Sequence, residues 1–296
     1  MTASTKTVGL LYPGEMGASL ARLLSAGGAR VVTCVEGRSE QTRSRCRAAE
    51  IDILGTVQEV VRQSDVIISL VPPGAAEAVA AAYCELAHLS PPHGLYVDCN
   101  SIAPQRAEAI AQRFAERGRG FIDGAINGLA SNISSAGTLF LSGAQAGELA
   151  ELIGDRMRIR LLGTQPGAAS AMKMLLGGLS KGLCALFIET ALIAQKRGML
   201  PEMLLEYARI YPGVMRIVDR MLPTYPQHAA RRAQETREIE STAREAGIEP
   251  NVLAAVRRAH EAIAVSFCEA DSLEEQGVQT LIERLARDYE PLAFTK

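Results

Sequence analysis

Short apolar runs alternate with stretches of helical periodicity over the first half of the chain. Most of these runs are apolar on both faces, and several are rich in Val and Ile. Short strands of this kind, separated by helices, are typical of a parallel sheet with helices on both sides. The predicted strands lie at 8–12, 30–35, 65–71, 95–98, 121–123, 138–141 and 158–162.

The pattern changes after Gly167, where helical periodicity continues without a convincing strand. Residues 168–197 predict one long apolar helix, and prolines punctuate the shorter helices after it, as expected where helices begin or stop. The sequence therefore predicts an α/β domain over 1–165 and an all-α domain over 166–296, joined by the long helix. The later predicted helices cover 201–210, 213–221, 229–246, 251–268 and 273–288.

Composition narrows the possible functions. The chain has 296 residues, 48% of them hydrophobic, which suits a folded protein with a sizeable core. Lys and Arg number 31 and Asp and Glu number 33, so the net charge is −2. This balance argues against nucleic-acid binding and against a polybasic membrane binder.

The cysteines and the apolar segments bear on the compartment. Six cysteines without C-x-x-C spacing, and histidines that form no ligand set, indicate a reduced cytoplasmic protein without a metal site. The N-terminus has no signal-peptide core. Lys181 and Glu189 interrupt the most apolar stretch, 174–194, which favours a buried helix over a membrane span.

A glycine-containing turn follows the first predicted strand. Gly14 and Gly17 lie where a Rossmann-type domain places its pyrophosphate-binding turn. Glycines let the backbone approach phosphates, and the following helix N-terminus offers free N–H groups. Tyr12 stands where the motif G-x-G-x-x-G has its first glycine, and Pro13 favours an extended conformation for Tyr12. A simple strand–helix turn without a ligand is the alternative.

The end of the second strand bears on the choice of cofactor. An acidic residue there binds the ribose of NAD, whereas a nearby arginine accepts the 2′-phosphate of NADP. Glu36 favours NAD, while Arg38 and Ser39 offer guanidinium and hydroxyl donors to a dianion. We favour NADP, with NAD as the alternative.

A lysine interrupts the apolar start of the long helix. Lys173 is costly to bury, so it faces a cleft or extends to solvent. At about 100° per residue, Gly177 and Ser180 share its stripe, and Lys181 lies about 80° away. A lysine in a cleft can donate a proton to a carbonyl oxygen as hydride arrives, or accept one from an alcohol.

Four segments in this order resemble the β-hydroxyacid dehydrogenase superfamily, which includes 3-hydroxyisobutyrate and 6-phosphogluconate dehydrogenases. They resemble its nucleotide loop, its D-x-S-T-x-x-P segment, its substrate loop and its catalytic helix, and they lie at 8–17, 97–104, 123–128 and 163–173. The resemblance covers the whole chain. Segments 168–174, 180–182 and 231–235 are closest to a branch whose C-terminal helical domain is of unknown function.

The resemblance implies an NAD(P)-dependent dehydrogenase that acts on a small β-hydroxy acid or the corresponding carbonyl acid in the cleft between its domains. Lys173 is the expected general acid/base, and a homodimer through the C-terminal helices is expected. The expected cofactor-binding residues are Tyr12, Pro13, Gly14, Glu15, Met16, Gly17, Glu36, Arg38, Ser39, Val71, Pro72, Pro73 and Asn100. The residues expected to bind an anionic substrate are Ser101, Asn127, Gly128, Ser180, Lys181 and Arg231, although a solvated helix face is the alternative for the arginine.

Departures from the family pattern leave the chemistry open. Leu176 and Gly177 stand where the family carries a substrate-orienting asparagine, and Asn127 replaces a serine. An imine or enamine reductase is one alternative, although such relatives usually replace the lysine. A non-catalytic dinucleotide-binding protein is the other alternative, because a fold can be retained after its catalytic activity is lost.

Overall fold

The chain folds into two compact units, which divide between Lys173 and Met174. The structure is a computed structural model that describes residues 5–266 and 277–288. The first unit is α/β, and the described part of the second is helical, which confirms the predicted fold class. The first unit extends past the predicted boundary at 165, because the start of the long helix is bonded to the sheet.

One eight-stranded sheet forms the centre of the first unit, in the order β3-β2-β1-β4-β5-β6-β7-β8. Every neighbouring pair is parallel except β6 and β7. The order changes direction between β1 and β4, and ligands of such sheets bind at this point, beyond the carboxyl ends of the strands. The strands are β1 Thr7–Leu11, β2 Arg30–Cys34, β3 Asp52–Leu54, β4 Val66–Ser69, β5 Leu95–Asp98, β6 Gly120–Asn127, β7 Thr138–Ser142 and β8 Arg158–Leu161.

Two strands differ from the sequence prediction. β3 was not predicted, because it is a three-residue edge strand that pairs only with β2 and is largely exposed. β6 continues to Asn127 rather than ending at Asp123, because it pairs antiparallel with β7 along this stretch. The segment that resembles a substrate loop is therefore mostly strand.

Apolar clusters cover both faces of the sheet. Consecutive residues of a strand point to opposite faces, so Leu10 belongs to one cluster and Leu11 to the other. Tyr96 and Phe114 are fully buried and stack with ring centroids 4.6 Å apart. The helices of this unit are α1 Glu15–Ala26, α2 Glu40–Ala48, α3 Val57–Gln63, α4 Ala76–Leu86, α5 Pro104–Ala115, α6 Ile133–Ala136, α7 Ala146–Ile153 and the start of α8.

The second unit packs its helices around a separate apolar core that includes Phe187, Tyr225 and Ile263. α11 begins earlier than predicted, because a proline is compatible with the first turn of a helix. Parts of the last two predicted helices, 267–268 and 273–276, lie outside the described residues. The helices are α8 Ala168–Lys196, α9 Leu200–Ile210, α10 Pro212–Met221, α11 Tyr225–Glu245, α12 Asn251–Ser266 and α13 Val278–Asp288.

Helix α8 is long and apolar enough to cross a membrane, by length and composition alone. Core helices of soluble proteins share these properties. Only 33% of its most apolar window is buried, so the helix is less buried than predicted. Leu175, Leu179, Leu186 and Ile193 are each more than half exposed, because they share the face of α8 that turns away from the core.

Candidate functional site

The turn between β1 and α1 has the geometry of a phosphate cradle. The first bond of α1 runs from the Ala18 N–H to the Gly14 carbonyl, so the preceding N–H groups point out of the helix end. Among the described residues no side chain caps Gly14, and a Cβ added there would have no atom within 4 Å. The space beside this helix N-terminus therefore fits a pyrophosphate.

Gly17 and Pro13 pack the same turn against the sheet. Pro13 is buried, and a Cβ added at Gly17 would lie 3.3 Å from the Pro13 Cβ. A side chain at position 17 would require Pro13 or Leu10 to shift by a few tenths of an ångström. Gly17 therefore has the role of the third glycine of the fingerprint, which permits close helix–strand packing.

The turn after β2 brings the residues that distinguish the two cofactors to one place. The Arg38 N–H donates to the Val35 carbonyl at 3.1 Å, and Gly37 at φ +69° allows this tight turn. The Arg38 guanidinium carbon lies 3.6 Å from the centroid of the Tyr12 ring. Ser39 caps α2, and its hydroxyl accepts from the Thr42 N–H at 3.2 Å. Glu36, Arg38 and Ser39 are all exposed.

Asn100 connects the loops that follow β4 and β5. Its side-chain oxygen accepts from the Val71 N–H at 2.6 Å, and its amide nitrogen donates to Ser69 and to Asp98. The side chain is buried and bonded within the protein, so in the structure it orients the segment of Val71 and Pro72. Direct contact of Asn100 with a cofactor stays a prediction.

Asp98 ends β5 and caps the turn after it. Its carboxylate accepts from the backbone N–H of Asn100 at 2.9 Å. Burial raises the pKa of Asp98 to about 7, while the bonds from Asn100 act in the opposite direction and the nearby Asp123 adds to the rise.

Asp123 bonds the start of α8 to the sheet. One of its carboxylate oxygens accepts from the backbone N–H groups of Gly167 at 2.9 Å and Ser170 at 3.0 Å, and from the Ser142 hydroxyl at 3.0 Å. The other accepts from the Ser170 hydroxyl at 2.7 Å. A fully buried carboxylate thus satisfies N–H groups that a helix end leaves free, and its charge complements the helix dipole.

Lys173 lies in the second turn of the helix that Asp123 holds. Burial raises the pKa of the Cys99 thiol, and the Lys173 ammonium is close enough to act in the opposite direction. Cys99 directly follows β5, beside Asp98. The lysine therefore lies near the carboxyl end of β5.

The end of β6 presents Asn127 and Gly128. Asn127 is exposed, and Gly128 has φ +153°. A Cβ added at Gly128 would approach the Gly137 Cα to 2.9 Å, so this position requires glycine. Ser101, which is half-buried, follows Asn100 in the loop after β5.

The remaining predicted substrate residues lie in the second unit. The Lys181 ammonium pairs with the Glu235 carboxylate at 3.0 Å, and Arg231 approaches the other oxygen of Glu235 at 3.6 Å. The Ser180 hydroxyl donates to the Leu176 carbonyl at 3.0 Å. The structure thus groups Lys181 and Arg231 around one carboxylate.

Comparison with known proteins assigns the family. Residues 7–153 match the NAD binding domain of 6-phosphogluconate dehydrogenase, and residues 194–263 match a domain of unknown function, DUF1932. The chain is 31% identical over 235 residues to an uncharacterized 28.5 kDa protein in the 7S RNA 5′ region of Methanothermus fervidus, covering 79% of this chain and 89% of that protein. The chain belongs to the β-hydroxyacid dehydrogenase superfamily, in the branch with a DUF1932 domain.

Several solved structures share the fold of this chain. The 3-hydroxyisobutyrate dehydrogenase of Mycobacterium tuberculosis, solved with L-serine, superposes with a TM-score of 0.75 at 18% identity, over 95% of this chain and 99% of that chain. An imine reductase variant from Myxococcus stipitatus, solved with NAD⁺, gives a TM-score of 0.60 at 20% identity, over 95% and 99%. The match to an NAD binding domain supports a nicotinamide dinucleotide as the cofactor, and the solved structures show the shared fold.

Sequence reasoning missed the residues that hold the helix of Lys173 in place. Asp123 lies within a segment that resembles the family, but neither it nor Ser142 and Ser170 received a role. A carboxylate among apolar residues of a strand was the one available signal, because a buried charge needs several hydrogen bonds. Its partners come from β7 and α8, and spacing along the chain does not reveal them.

Proposed function

We propose that the protein is an oxidoreductase that interconverts a small β-hydroxy acid and the corresponding carbonyl acid. The observation that carries this proposal is the position of Lys173. Asp123 bonds the first turn of its helix to the sheet, and Lys173 lies close to Cys99, which follows β5. The same unit carries the phosphate cradle at Gly14. A bound nicotinamide supplies or accepts the hydride.

Lys173 moves the proton in this proposal. Its ammonium donates to the carbonyl oxygen during reduction, and its amine accepts the hydroxyl proton during oxidation. The neighbouring Cys99 thiol stays protonated, because burial raises its pKa. It therefore places no competing anion beside the lysine.

NADP is the proposed cofactor. Arg38 follows β2 and lies over the Tyr12 ring, and in such domains an arginine near the end of the second strand accepts the 2′-phosphate. A guanidinium there suits a phosphate dianion. Glu36 shares the turn, so NAD is the competing assignment.

An anionic substrate suits the exposed Asn127 amide and the Gly128 backbone. In the second unit Lys181 and Arg231 both approach the Glu235 carboxylate, so these three side chains together carry a net positive charge. We propose each of these two groups, taken by itself, as a candidate ligand of a carboxylate.

A cofactor titration followed by a substrate panel tests the proposal. Nicotinamide fluorescence is followed as NADPH and NADH are added to purified protein, and β-hydroxy acids, β-carbonyl acids and cyclic imines are then assayed with the preferred cofactor. Turnover of the acids supports the proposal, and turnover of imines alone favours the reductase alternative. That alternative is motivated by Leu176 and Gly177, which stand in place of the family's asparagine. Binding without turnover supports a non-catalytic role.

Lys173→Ala separates catalysis from binding. We expect kcat to fall about 10²- to 10⁴-fold with little change in cofactor Kd, because general acid–base groups contribute rate enhancements of this size. Lys196→Ala removes an exposed lysine from the last turn of the same helix and serves as the matched control. Full turnover by the Lys173 variant would contradict the assignment.

We further propose a homodimer through the helical unit. Leu175, Leu179, Leu186 and Ile193 are spaced by four or seven residues along α8 and form an exposed apolar face. A second copy can cover this face symmetrically. Light scattering is expected to give twice the chain mass, and Leu179→Glu with Leu186→Glu is expected to give the monomer. A monomeric wild-type protein would contradict this proposal.

A further inference from the structure

Tyr12 departs from the dinucleotide fingerprint, and the structure gives that departure a partner. A glycine at the first position of the motif has no side chain, whereas the Tyr12 ring lies 3.6 Å from the Arg38 guanidinium carbon. We propose that Tyr12 is a positioning residue, which holds Arg38 ready for the 2′-phosphate and so sets the preference for NADP over NAD. This inference rests on the proposed phosphate-binding role of Arg38.

The ring is held by the core of the first unit. Tyr12 is half-buried and packs against the apolar cluster that contains Leu11 and Val32. Pro13, which is buried, restricts the backbone of Tyr12 to extended conformations. The aromatic surface offered to Arg38 therefore has a defined position before any ligand binds.

The backbone of Arg38 is equally well defined. The turn from Val35 closes with the Arg38 N–H at 3.1 Å from the Val35 carbonyl, and Gly37 adopts a left-handed conformation at φ +69°. Ser39 caps α2 immediately afterwards. Within residues 5–266 no hydrogen bond from its own segment restrains the Arg38 side chain, and the Tyr12 ring lies against its guanidinium.

This arrangement favours binding through preorganisation. An exposed arginine loses rotamer freedom when it binds a phosphate, and this loss weakens binding. Stacking on a fixed ring restricts the side chain beforehand. It uses the face of the guanidinium and leaves N–H groups on its edge for phosphate oxygens.

Binding of the two cofactors to Tyr12 variants tests this role. With Tyr12→Leu we expect the Kd for NADPH to rise about three- to five-fold, the range that an exposed cation–π contact supports. The Kd for NADH is expected to change by less than about two-fold, since NADH has no 2′-phosphate. Tyr12→Phe keeps the ring face and is expected to retain the preference. Circular dichroism melts establish that each variant is folded.

A double-mutant cycle with Arg38→Ala separates positioning from other roles. If Tyr12 acts through Arg38, Tyr12→Leu has no further effect on NADPH binding in the Arg38→Ala background. An equal loss of NADPH and NADH affinity, or a loss that persists without Arg38, overturns the positioning role. If Arg38→Ala leaves the NADPH preference intact, or if the wild type prefers NADH, the phosphate clamp itself fails, and the positioning role fails with it.

Discussion

The two units differ in the partners of their buried ionisable groups. In the first unit the buried ionisable groups are Asp98 and Asp123, which accept hydrogen bonds mainly from backbone N–H and hydroxyl groups. In the second they include Arg232 and His260, which contact uncharged partners such as Tyr225, and Glu240, which pairs with Arg244 and Arg257. In the first unit a buried carboxylate joins the sheet to the start of α8, whereas in the second unit the buried groups connect helices within a helical core.

The buried groups of the two units also differ in how many of their polar atoms have hydrogen-bond partners. Asp123 accepts four bonds across its two oxygens. Arg232 donates to the Met221 carbonyl at 3.2 Å and to the Thr224 hydroxyl at 2.9 Å, but within the described residues its buried Nη1 has no partner. The cost of removing each group should differ accordingly, since a well-bonded buried charge leaves several unsatisfied groups behind.

Asp123→Ala is expected to have the largest effect on stability. It leaves the N–H groups of Gly167 and Ser170, and two buried hydroxyls, without their acceptor. We expect a loss of about 3–5 kcal/mol in the free energy of unfolding, measured by urea denaturation. Hydrogen exchange should accelerate at the start of α8. Asp155→Ala, an exposed aspartate of the same unit, is the control. A loss below about 1 kcal/mol would show that Asp123 does not anchor the helix.

The second unit is expected to weaken in acid through His260. Burial, together with the charges of Arg232 and Lys181, lowers the pKa of His260 from 6.5 to about 3. Between these values the unfolded chain binds a proton that the folded unit does not. Stability therefore falls as pH decreases from 6.5 towards 3, by at most about 1.4 kcal/mol per pH unit.

His260→Gln removes this titration. Urea denaturation of wild type and variant between pH 7 and pH 5 should show a steeper fall for the wild type, with the early loss in amides of α11 and α12. Parallel pH profiles for the two proteins would exclude His260 as the cause.

Asp98 is expected to give the first unit the opposite dependence. Burial raises its folded pKa from 3.8 to about 7, so between these values the folded state binds a proton that the unfolded state lacks. Its contribution to stability is greatest below the lower value and is lost as pH rises through the upper one, with the same limiting slope of about 1.4 kcal/mol per pH unit. Asp98→Asn should flatten the pH profile of amides in β4 and β5, and an unchanged profile would contradict the assignment.

Arg232→Met is expected to have the smallest effect. Methionine keeps much of the packing against Tyr225 and removes a guanidinium whose pKa burial already lowers. The variant loses the bonds to Met221 and Thr224, but it no longer has the cost of burying a charge. We therefore expect the free energy of unfolding to change by no more than about 1 kcal/mol in urea denaturation. A loss as large as that of Asp123→Ala would remove the contrast between the two units.

Much of the fold follows from the apolar pattern alone. The parallel order, the change to helices after Gly167 and the single helix from Ala168 were all predicted, because they depend on periodicities of neighbouring residues. β3 and the end of β6 were missed, since a short edge strand and an antiparallel extension depend on their partners. Gly14, Arg38 and Lys173 could be chosen as candidates because glycine, guanidinium and amine have distinctive chemistry.

The sequence by itself determined the fold class, the family and the types of residue available for cofactor and proton transfer, because those properties reside in local pattern and residue chemistry. Only the tertiary structure decided which groups meet. It brought Asp123 to the start of α8, Arg38 onto the Tyr12 ring and His260 beside Tyr225. These contacts join residues that are far apart in the chain, and their geometry depends on how sheet and helices pack rather than on any local preference.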